Sequence, residues 1–408
     1  MVLQRADHRS QALLSVGLTF TIDDVRYLRS ESGAAALAAV AELELSEATR
    51  IADTTAVRAR FSERAPVLVE TTLLRRRASD KLAGLCDISA WLFTDEALQQ
   101  ATAAAVALHR ASRLTGLVVH DATCSIGTEL AALRRASATA VGSDIDPVRL
   151  TMARHNLGAD ADLCRADALR PVTRDAVVVI DPARRSSGRR RFGLSDYQPA
   201  LGPLLATYRG RDLVVKCAPG INFDQIWGLG FDGEIEVTSY RGSVREACLW
   251  PPGLAVPAVR RRASVLDSGE QITDGEPDDC GVRPVGRWIV DPDGAVVRAG
   301  LVRHYGTRYG LWQLDPDIAY LSGDRLPAGA RGFEVLEQLA FDERRLRQTL
   351  SALDCGALEI LVRGVRVDPD VLRRRLRLRG SRSLAVIITR IGSGSGSHAT
   401  VFLCCPSR

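Results

Sequence analysis

The middle of the chain is patterned in short apolar runs that alternate with stretches of helical periodicity. "LVVHD", "ATAVGSD" and "AVVVIDP" have the length of strands, and "GTELAALRRA" and "DPVRLTMARHNL" place apolar residues at helical spacing. Strands that alternate with helices of about ten residues are typical of βαβ units and a parallel sheet. "RDLVVKCAPG" continues this pattern, and "GEIEVTSY" with "REACLW" predicts closing strands near residues 234–250.

The first 112 residues carry few strand signals. "SGAAALAAVAELELSEATRIAD" and "TDEALQQATAAAVALHRASRL" both show apolar residues at helical spacing. Thr94 is a suitable N-cap for the second stretch, because Asp95 and Glu96 follow in the first turn, where the helix dipole favours carboxylates. A helical N-terminal region is therefore predicted.

The pattern restarts on a smaller scale near the C-terminus. The Pro-rich break "WPPGLAVPAVRRRAS" ends the middle domain, and beyond about residue 330 come a helix, "FDERRLRQTLSAL", and a strand, "ALEILVRG". "DPDVLRRRLRLRG" predicts a second helix with Asp368 as cap and Pro369 at its first position. "SLAVIITRI" and "ATVFLCC" predict a hairpin around "GSGSGS".

Together these patterns predict an α/β protein with a Rossmann-like core. We expect a helical N-terminal region over residues 1–112, the core over 113–255, a β-rich connecting segment over 256–330 and a small α/β domain over 331–408.

Composition places the chain among globular proteins of a reducing compartment. The nine cysteines form no CxxC pair and the six histidines show no ligand spacing, so neither a disulfide framework nor a metal centre is expected. No signal peptide opens the chain and no apolar run approaches the ~20 residues that cross a bilayer. A cytoplasmic protein without a membrane partner is expected.

Acidic residues follow the predicted strands at the same edge of the sheet. Asp121 ends the first strand, Asp144 the second, Asp167 the third and Asp181 the fourth. Ligands of parallel sheets bind at this edge, and an acid after the second strand is placed to accept hydrogen bonds from a ribose diol. Asp167 is placed to meet the amino group of an adenine.

The pattern formed by these residues resembles that of the class I S-adenosylmethionine-dependent methyltransferases. The resemblance assigns the core over residues 113–255 to this family. In that family the first acid and its loop hold the methionine part of the cofactor, the second acid holds the ribose and the third the adenine. The resemblance therefore implies S-adenosyl-L-methionine as cofactor. It implies these cofactor-binding residues by position: Asp121, Thr123, Cys124, Gly127, Asp144 and Asp167.

The fourth strand carries the catalytic motif in such enzymes. Base-amino methyltransferases have [D/N]-P-P-[aromatic] there, and the chain has Asp181-Pro182-Ala183-Arg184. The resemblance implies that Asp181 and Pro182 orient a substrate amine, so that positioning provides most of the rate. Ala183 and Arg184 depart from the family pattern at the positions of the second proline and of the base-stacking aromatic residue.

The order of segments along the chain resembles bacterial methyltransferases that have a THUMP-like C-terminal domain. "IDPARR" and "VDPDVLRRRLRLRG" are the most specific matching stretches. True THUMP domains bind RNA, so the resemblance implies an RNA partner, a tRNA or an rRNA.

Positive charge is concentrated next to the catalytic motif. Since Lys81 and Lys216 are the only lysines, nearly all cations are arginines, which pair with phosphate and stack on bases. Arg184, Arg185, Arg189 and Lys216 are the predicted substrate-binding residues.

Two other functions stay open on the sequence. The same residues could serve a methyltransferase for a small anionic metabolite or a protein, or a non-catalytic RNA-binding protein that keeps the fold.

Overall fold

The structure is a computed structural model that describes residues 18–184, 193–392 and 394–407. It packs as two compact units, Met1–Lys216 and Cys217–Arg408. The division into four segments that the sequence predicts stays a prediction.

Helices fill the first unit before its first strand. They are α1 (Ile22–Leu28), α2 (Glu31–Ala41), α3 (Arg50–Phe61), α4 (Ala65–Lys81), α5 (Asp95–Gln100) and α6 (Ala104–Ser112). Thr94 is the N-cap of α5, as predicted, and its side chain accepts a hydrogen bond from the Ala97 amide at 3.1 Å.

The predicted helical stretch after Thr94 is divided into α5 and α6. Lys81 Nζ, at the end of α4, donates hydrogen bonds to the carbonyls of Leu98 at 2.7 Å and Gln99 at 3.0 Å. A continued helix would use these carbonyls for its own backbone, so the lysine ends α5 where it does.

A parallel sheet forms the core of the first unit. Its strands are β1 (Val118–Asp121), β2 (Thr139–Asp144), β3 (Asp162–Arg165), β4 (Val177–Ile180) and β7 (Leu213–Cys217), in the order β7-β4-β1-β2-β3. The predicted alternation of strands and helices is confirmed by α7 (Thr128–Ala136), α8 (Pro147–Leu157) and α9 (Leu201–Thr207). The short strands β5 (Ala183–Arg184) and β6 (Tyr197–Gln198) pair with each other outside this sheet. The strand order reverses between β1 and β4, which is the position where such sheets bind ligands.

One strand end differs from the sequence prediction. β3 stops at Arg165, so Asp167 does not end the strand but lies two residues beyond it. Its Oδ1 accepts a hydrogen bond from the Leu169 amide at 2.9 Å. This local turn competes with continued pairing of β3 with β2.

The second unit contains helices and two groups of strands, the first of which follows a short helix. After α10 (Phe223–Gly228) come β8 (Glu234–Tyr240), β9 (Ser243–Trp250), β10 (Arg261–Val265) and β11 (Glu270–Thr273). β8 pairs antiparallel with β9 and parallel with β10, and β11 pairs antiparallel with β10.

The remaining strands form a separate seven-stranded sheet. They are β12 (Trp288–Val290), β13 (Trp312–Asp315), β14 (Ile318–Gly323), β15 (Gly332–Ala340), β16 (Cys355–Arg363), β17 (Arg382–Ile391) and β18 (His398–Pro406), in the order β13-β14-β12-β15-β18-β17-β16. The other helices of the second unit are α11 (Gly294–Arg298), α12 (Val302–Arg308), α13 (Glu343–Ala352) and α14 (Pro369–Leu376).

The predicted C-terminal elements are confirmed. β17 and β18 form the antiparallel hairpin, and the Asp368 side chain caps α14 with Pro369 at its first position. Leucines of α13 and α14 are buried in one cluster with residues of β16, β17 and β18; among them are Leu346, Leu350, Leu372 and Leu376.

No helix among the described residues combines the length and the apolar character that crossing a bilayer requires.

A histidine is buried in the middle of the parallel sheet. His120 of β1 is 1% exposed, with Nε2 2.9 Å from Ser143 Oγ and Nδ1 3.1 Å from Thr173 Oγ1. Burial, with a contribution from the Arg211 guanidinium, lowers the pKa of His120 to about 4. The ring is therefore neutral in the folded protein at neutral pH.

This burial predicts a loss of stability in mild acid. The unfolded chain takes up the proton on His120 near pH 6.5, and the folded chain takes it up only near pH 4. The contribution of His120 to the free energy of unfolding is therefore lost as the pH falls from about 6.5 to about 4. Thermal unfolding of the protein and of His120→Gln should be followed across this range. The melting temperature of the parent should fall more steeply than that of the variant; parallel curves would contradict the buried, neutral state.

Candidate functional site

The carboxyl ends of β1, β2 and β4 meet at one pocket of about 440 Å³. Seven residues predicted from the sequence line it: Asp121, Thr123, Cys124, Asp144, Asp167, Asp181 and Lys216. The parallel register explains their meeting, since Asp121 is aligned with Gly142 of β2 and with Val179 of β4. A pocket of this size is in the usual range for a small-molecule site.

Asp121 is the most deeply buried carboxylate of the pocket. It is 1% exposed, and its Oδ2 is buried without a hydrogen-bond partner among the described residues. Its Oδ1 accepts a hydrogen bond of 3.3 Å from the Thr123 amide. Burial first, and then the negative charge of Glu129, raise the pKa of Asp121 well above its usual range. A cation bound here would stabilise the ionised carboxylate.

The loop after β1 is held to its neighbours by backbone hydrogen bonds. The Cys124 amide donates to the Ser143 carbonyl at 2.9 Å, and the Ser125 amide donates to Asp144 Oδ2 at 2.9 Å. Gly127 caps α7 with a φ of 92°, and an added Cβ would lie 2.8 Å from Leu157 Cδ1. Gly127 therefore allows the loop to pack closely against Leu157, and it does not line the pocket.

Cys124 is a buried thiol in this loop. It is 2% exposed, and burial together with the nearby carboxylates raises the pKa of its thiol well above the ordinary value. The protonated thiol packs as a small apolar group against the pocket.

Asp144 is fixed by two backbone amides. Besides the Ser125 amide on Oδ2, the Asp146 amide donates to Asp144 Oδ1 at 2.9 Å. The next residue, Ile145, also lines the pocket and is 62% exposed, which leaves an apolar side chain open beside the acid. A carboxylate with an adjoining apolar surface can receive hydroxyl groups and a flat ring.

Asp181 follows β4 and forms an ion pair with the lysine of β7. Lys216 Nζ lies 2.5 Å from Asp181 Oδ2, and the Asp181 amide donates to Thr123 Oγ1 at 2.7 Å. Oδ1 of Asp181 has no hydrogen-bond partner within the described part of the chain. Lys216 therefore holds one oxygen of the carboxylate, and the other remains for a ligand. Pro182 next to it is buried and does not line the pocket.

The arginines predicted to bind substrate are only partly described. Arg185 and Arg189 lie outside the described residues, and of Arg184 only the backbone is described, in β5 paired with Tyr197. Ala183 of β5 and Pro199, which follows β6, both line the pocket.

A buried ion pair in the pocket was missed by the sequence analysis. Arg110 of α6 pairs with Glu129 of α7, and the Arg110 side chain is only 2% exposed. A signal was present, because Arg110 follows Val106 and Ala107 at i+4 and i+3 and so lies on the apolar face of its helix. Nothing in the sequence pattern pairs that arginine with Glu129.

The charge of the pocket wall favours a cationic ligand. Among the described residues that line it are five carboxylates (Asp121, Glu129, Asp144, Asp167, Asp181) and three cations (Arg110, Arg149, Lys216). Each cation already pairs with a carboxylate: Arg110 with Glu129, Lys216 with Asp181, and Arg149 with Glu96 at 2.7 Å. Positive charge in a ligand would offset the remaining acids.

No metal is indicated at this edge. In the described ranges no group of three or more His, Cys, Asp or Glu side chains is arranged to hold a metal ion.

Comparison with known proteins decides the family. The chain is 78% identical over 358 residues to an uncharacterized S-adenosylmethionine-dependent methyltransferase of Mycobacterium tuberculosis CDC 1551, a match that covers 86% of this chain and 100% of the relative. The corresponding protein of strain H37Rv matches equally well. The chain belongs to the S-adenosylmethionine-dependent methyltransferases.

The fold of this methyltransferase agrees with that assignment. The crystal structure of a "putative methyltransferase" from Porphyromonas gingivalis W83 superposes with a TM-score of 0.74 at 18% identity, covering 96% of this chain and 100% of the other. Residues 330–406 match a family model described as THUMP domain-like, and residues 21–78 match one described as a domain of unknown function. The THUMP-like domain and the Rossmann-like class I fold predicted from the sequence are thereby confirmed.

One basic cluster of the methyltransferase, Arg75–Arg77, is bonded to its own N-terminal region. Arg75 donates to the carbonyls of Ala90 and Trp91, Arg76 donates to carbonyls at the end of α2, and Arg77 pairs with Asp95 at 2.6 Å. Those arginines fasten the N-terminal helices to one another. Each of the three guanidinium groups therefore has a partner within the N-terminal region, which the run of three arginines in the sequence does not reveal.

The Arg110–Glu129 pair predicts a testable asymmetry. Removing only the cation in Arg110→Met leaves Glu129 buried beside Asp121, which should lower the unfolding free energy by about 3 kcal/mol. Removing the charge of both partners in Arg110→Met/Glu129→Gln should recover a large part of that loss. Urea unfolding of the two variants and the parent measures both effects, and a double variant no more stable than Arg110→Met would contradict the pairing.

Proposed function

We propose that this methyltransferase methylates a base nitrogen in an RNA, a tRNA or an rRNA, in the cytoplasm. The observation that carries the proposal is Asp181: it lies at the end of β4, Lys216 holds its Oδ2, and its Oδ1 is open to a ligand. The nine cysteines, all within the described residues, form no disulfide with one another, which supports a reducing compartment.

The pocket residues fit S-adenosylmethionine as the cofactor. The buried, unpartnered Oδ2 of Asp121 and the excess of carboxylates suit a ligand that carries a sulfonium and an ammonium group. We assign the methionine part to Asp121 and the loop with Thr123, Cys124 and Gly127. We assign the ribose to Asp144 and the adenine to the region of Asp167 and Ile145. When bound, the cofactor supplies an electrophilic methyl group.

The residues of the chain then act on the methyl acceptor. Asp181 Oδ1 accepts a hydrogen bond from the exocyclic N–H of the base, which turns the nitrogen lone pair towards the cofactor. The same carboxylate takes the proton that the nitrogen loses. Lys216 positions Asp181 by holding its other oxygen. The substrate contact expected of Lys216 from the sequence stays a prediction.

Exposed arginines of the THUMP-like region support an RNA substrate. On α13 and α14 the leucines face the core, and the outer side carries arginines without a side-chain hydrogen bond or ion pair among the described residues: Arg344, Arg345, Arg347 and Arg374, with Arg377 and Arg379 just after α14. Such a surface can bind phosphates. Arg373 and Arg375 are already paired, with Asp370 at 2.6 Å and Glu343 at 3.2 Å.

Asp144→Ala tests the cofactor assignment. The variant loses the carboxylate that the Ser125 and Asp146 amides hold in place, and we expect its affinity for S-adenosylmethionine in calorimetry to fall by at least about tenfold. Asp162→Ala, an exposed acid at the start of β3, is the matched control and should bind as the parent does. Unchanged affinity in Asp144→Ala would contradict the ribose assignment.

The RNA proposal is tested by transfer of a labelled methyl group. The protein is incubated with methyl-labelled S-adenosylmethionine and total RNA from cells that lack the gene, and the RNA is digested and analysed by mass spectrometry. We expect a nucleoside methylated on a base nitrogen, and no product with Asp181→Ala, whose cofactor affinity should stay near that of the parent.

Other outcomes separate the alternatives. Label on a ribose oxygen would contradict the base nitrogen, and label only in protein or small molecules would contradict the RNA. RNA binding without cofactor binding would show a non-catalytic protein.

A further inference from the structure

A second pocket lies within the Cys217–Arg408 unit. It has a volume of about 380 Å³ and is lined by the segment from Gly220 to Asp224, by Trp227, by Arg261 and by the turn Arg298–Gly300. None of these residues lines the pocket that contains Asp121 and Asp181. The volume is large enough for a flat ring with a polar substituent.

Two aromatic rings on α10 form part of the wall. Phe223 and Trp227 contact each other edge to face, with centroids 6.1 Å apart and an interplanar angle of 68°. Trp227 Nε1 is buried and has no hydrogen-bond partner among the described residues. A buried indole N–H normally finds an acceptor, so this one leaves a donor unused in the absence of a ligand.

Arginines surround the two rings. The Arg298 guanidinium lies 5.5 Å from the Phe223 centroid, and that of Arg260 lies 5.2 Å from the Trp227 ring. Arg298 is fastened by hydrogen bonds to the Pro219 and Ile221 carbonyls. Fixed guanidinium groups beside aromatic rings are the arrangement that recognises bases and phosphates together.

The arginines retain unused hydrogen-bond donors. Arg261 uses Nε on Asp274 at 3.3 Å and Nη1 on the Gly300 carbonyl at 3.4 Å, and its Nη2 has no partner within the described ranges. The exposed Arg260 side chain has no hydrogen bond or ion pair there either, beyond its contact with the Trp227 ring. These donors match the oxygens of a phosphate.

We propose that this pocket binds a nucleotide, with its base against Phe223 and Trp227 and its phosphate on Arg261 and Arg298. Arg260, which contacts the Trp227 ring from outside the pocket lining, adds positive charge beside the base. The nucleotide can be free or part of an RNA chain, because both offer the same ring and the same phosphate. This site does not depend on the methyl-transfer assignment, since it shares no residue with the cofactor pocket.

The test measures binding to the full chain by calorimetry. The probes are the four ribonucleoside 5′-monophosphates, a short single-stranded oligoribonucleotide and inorganic phosphate, all with saturating S-adenosylhomocysteine so that the cofactor pocket cannot take up the base. Trp227→Leu should weaken binding about tenfold or more, because it removes the stacking surface. Arg260→Ala should also weaken it without changing the melting temperature.

Trp312→Phe is the matched control. Trp312 also lies under an arginine, Arg283 at 5.5 Å, but its indole N–H already donates to the Pro284 carbonyl and it is not part of the pocket. This variant should bind as the parent does.

The pattern of probes identifies the ligand. Mononucleotide binding that is lost in Trp227→Leu and Arg260→Ala supports a free nucleotide, and the same loss with the oligoribonucleotide alone supports a nucleotide within RNA. Binding of no nucleotide, binding of inorganic phosphate as tight as that of nucleotides, or affinities unchanged in both variants would overturn the proposal. Failure of methyl transfer to RNA would leave each of these outcomes unaffected.

Discussion

The parallel register of β4, β1 and β2 is the constraint on which the site depends. It brings the ends of these strands to one edge, so Asp121, Asp144 and Asp181 share a pocket although the chain separates them widely. Burial, and after it the negative charge of Glu129 and of the neighbouring acids, raises the pKa of Asp121 well above its usual range. The protein offsets part of the repulsion between these acids with the Arg110–Glu129 and Lys216–Asp181 pairs and leaves Asp121 open to a cation.

Only two lysines occur in the chain, and both make defined contacts within the first unit. Lys81 ends α5 through two backbone carbonyls, and the residues at and just after that end, Gln100 to Thr102, line the pocket that contains Asp121. Lys216 holds the carboxylate that we propose meets the methyl acceptor. A primary ammonium is a compact point charge, which suits a single oxygen or two adjacent carbonyls better than a planar guanidinium does.

The arginines fall into two groups with different chemistry. Arg75, Arg76 and Arg298 donate to backbone carbonyls and so connect segments that are distant in the chain. Arg260 and Arg374 have no such partner among the described residues and remain accessible. Proximity in sequence does not separate these groups, because Arg260 and Arg262 are two positions apart, yet Arg262 is in a buried ion pair with Glu234.

The sequence by itself determined the sheet and the acids at its edge, because apolar periodicity and strand-end positions are local properties of the chain. Asp121, Asp144 and Asp181 were found in this way, and so were Thr94 and Asp368 as helix caps. The THUMP-like segment was identified by its resemblance to a known family. Tertiary structure decided which charges pair. Whether Arg110 meets Glu129, or Lys216 meets Asp181, depends on how helices and strands distant in sequence pack, and no periodic pattern records that distance.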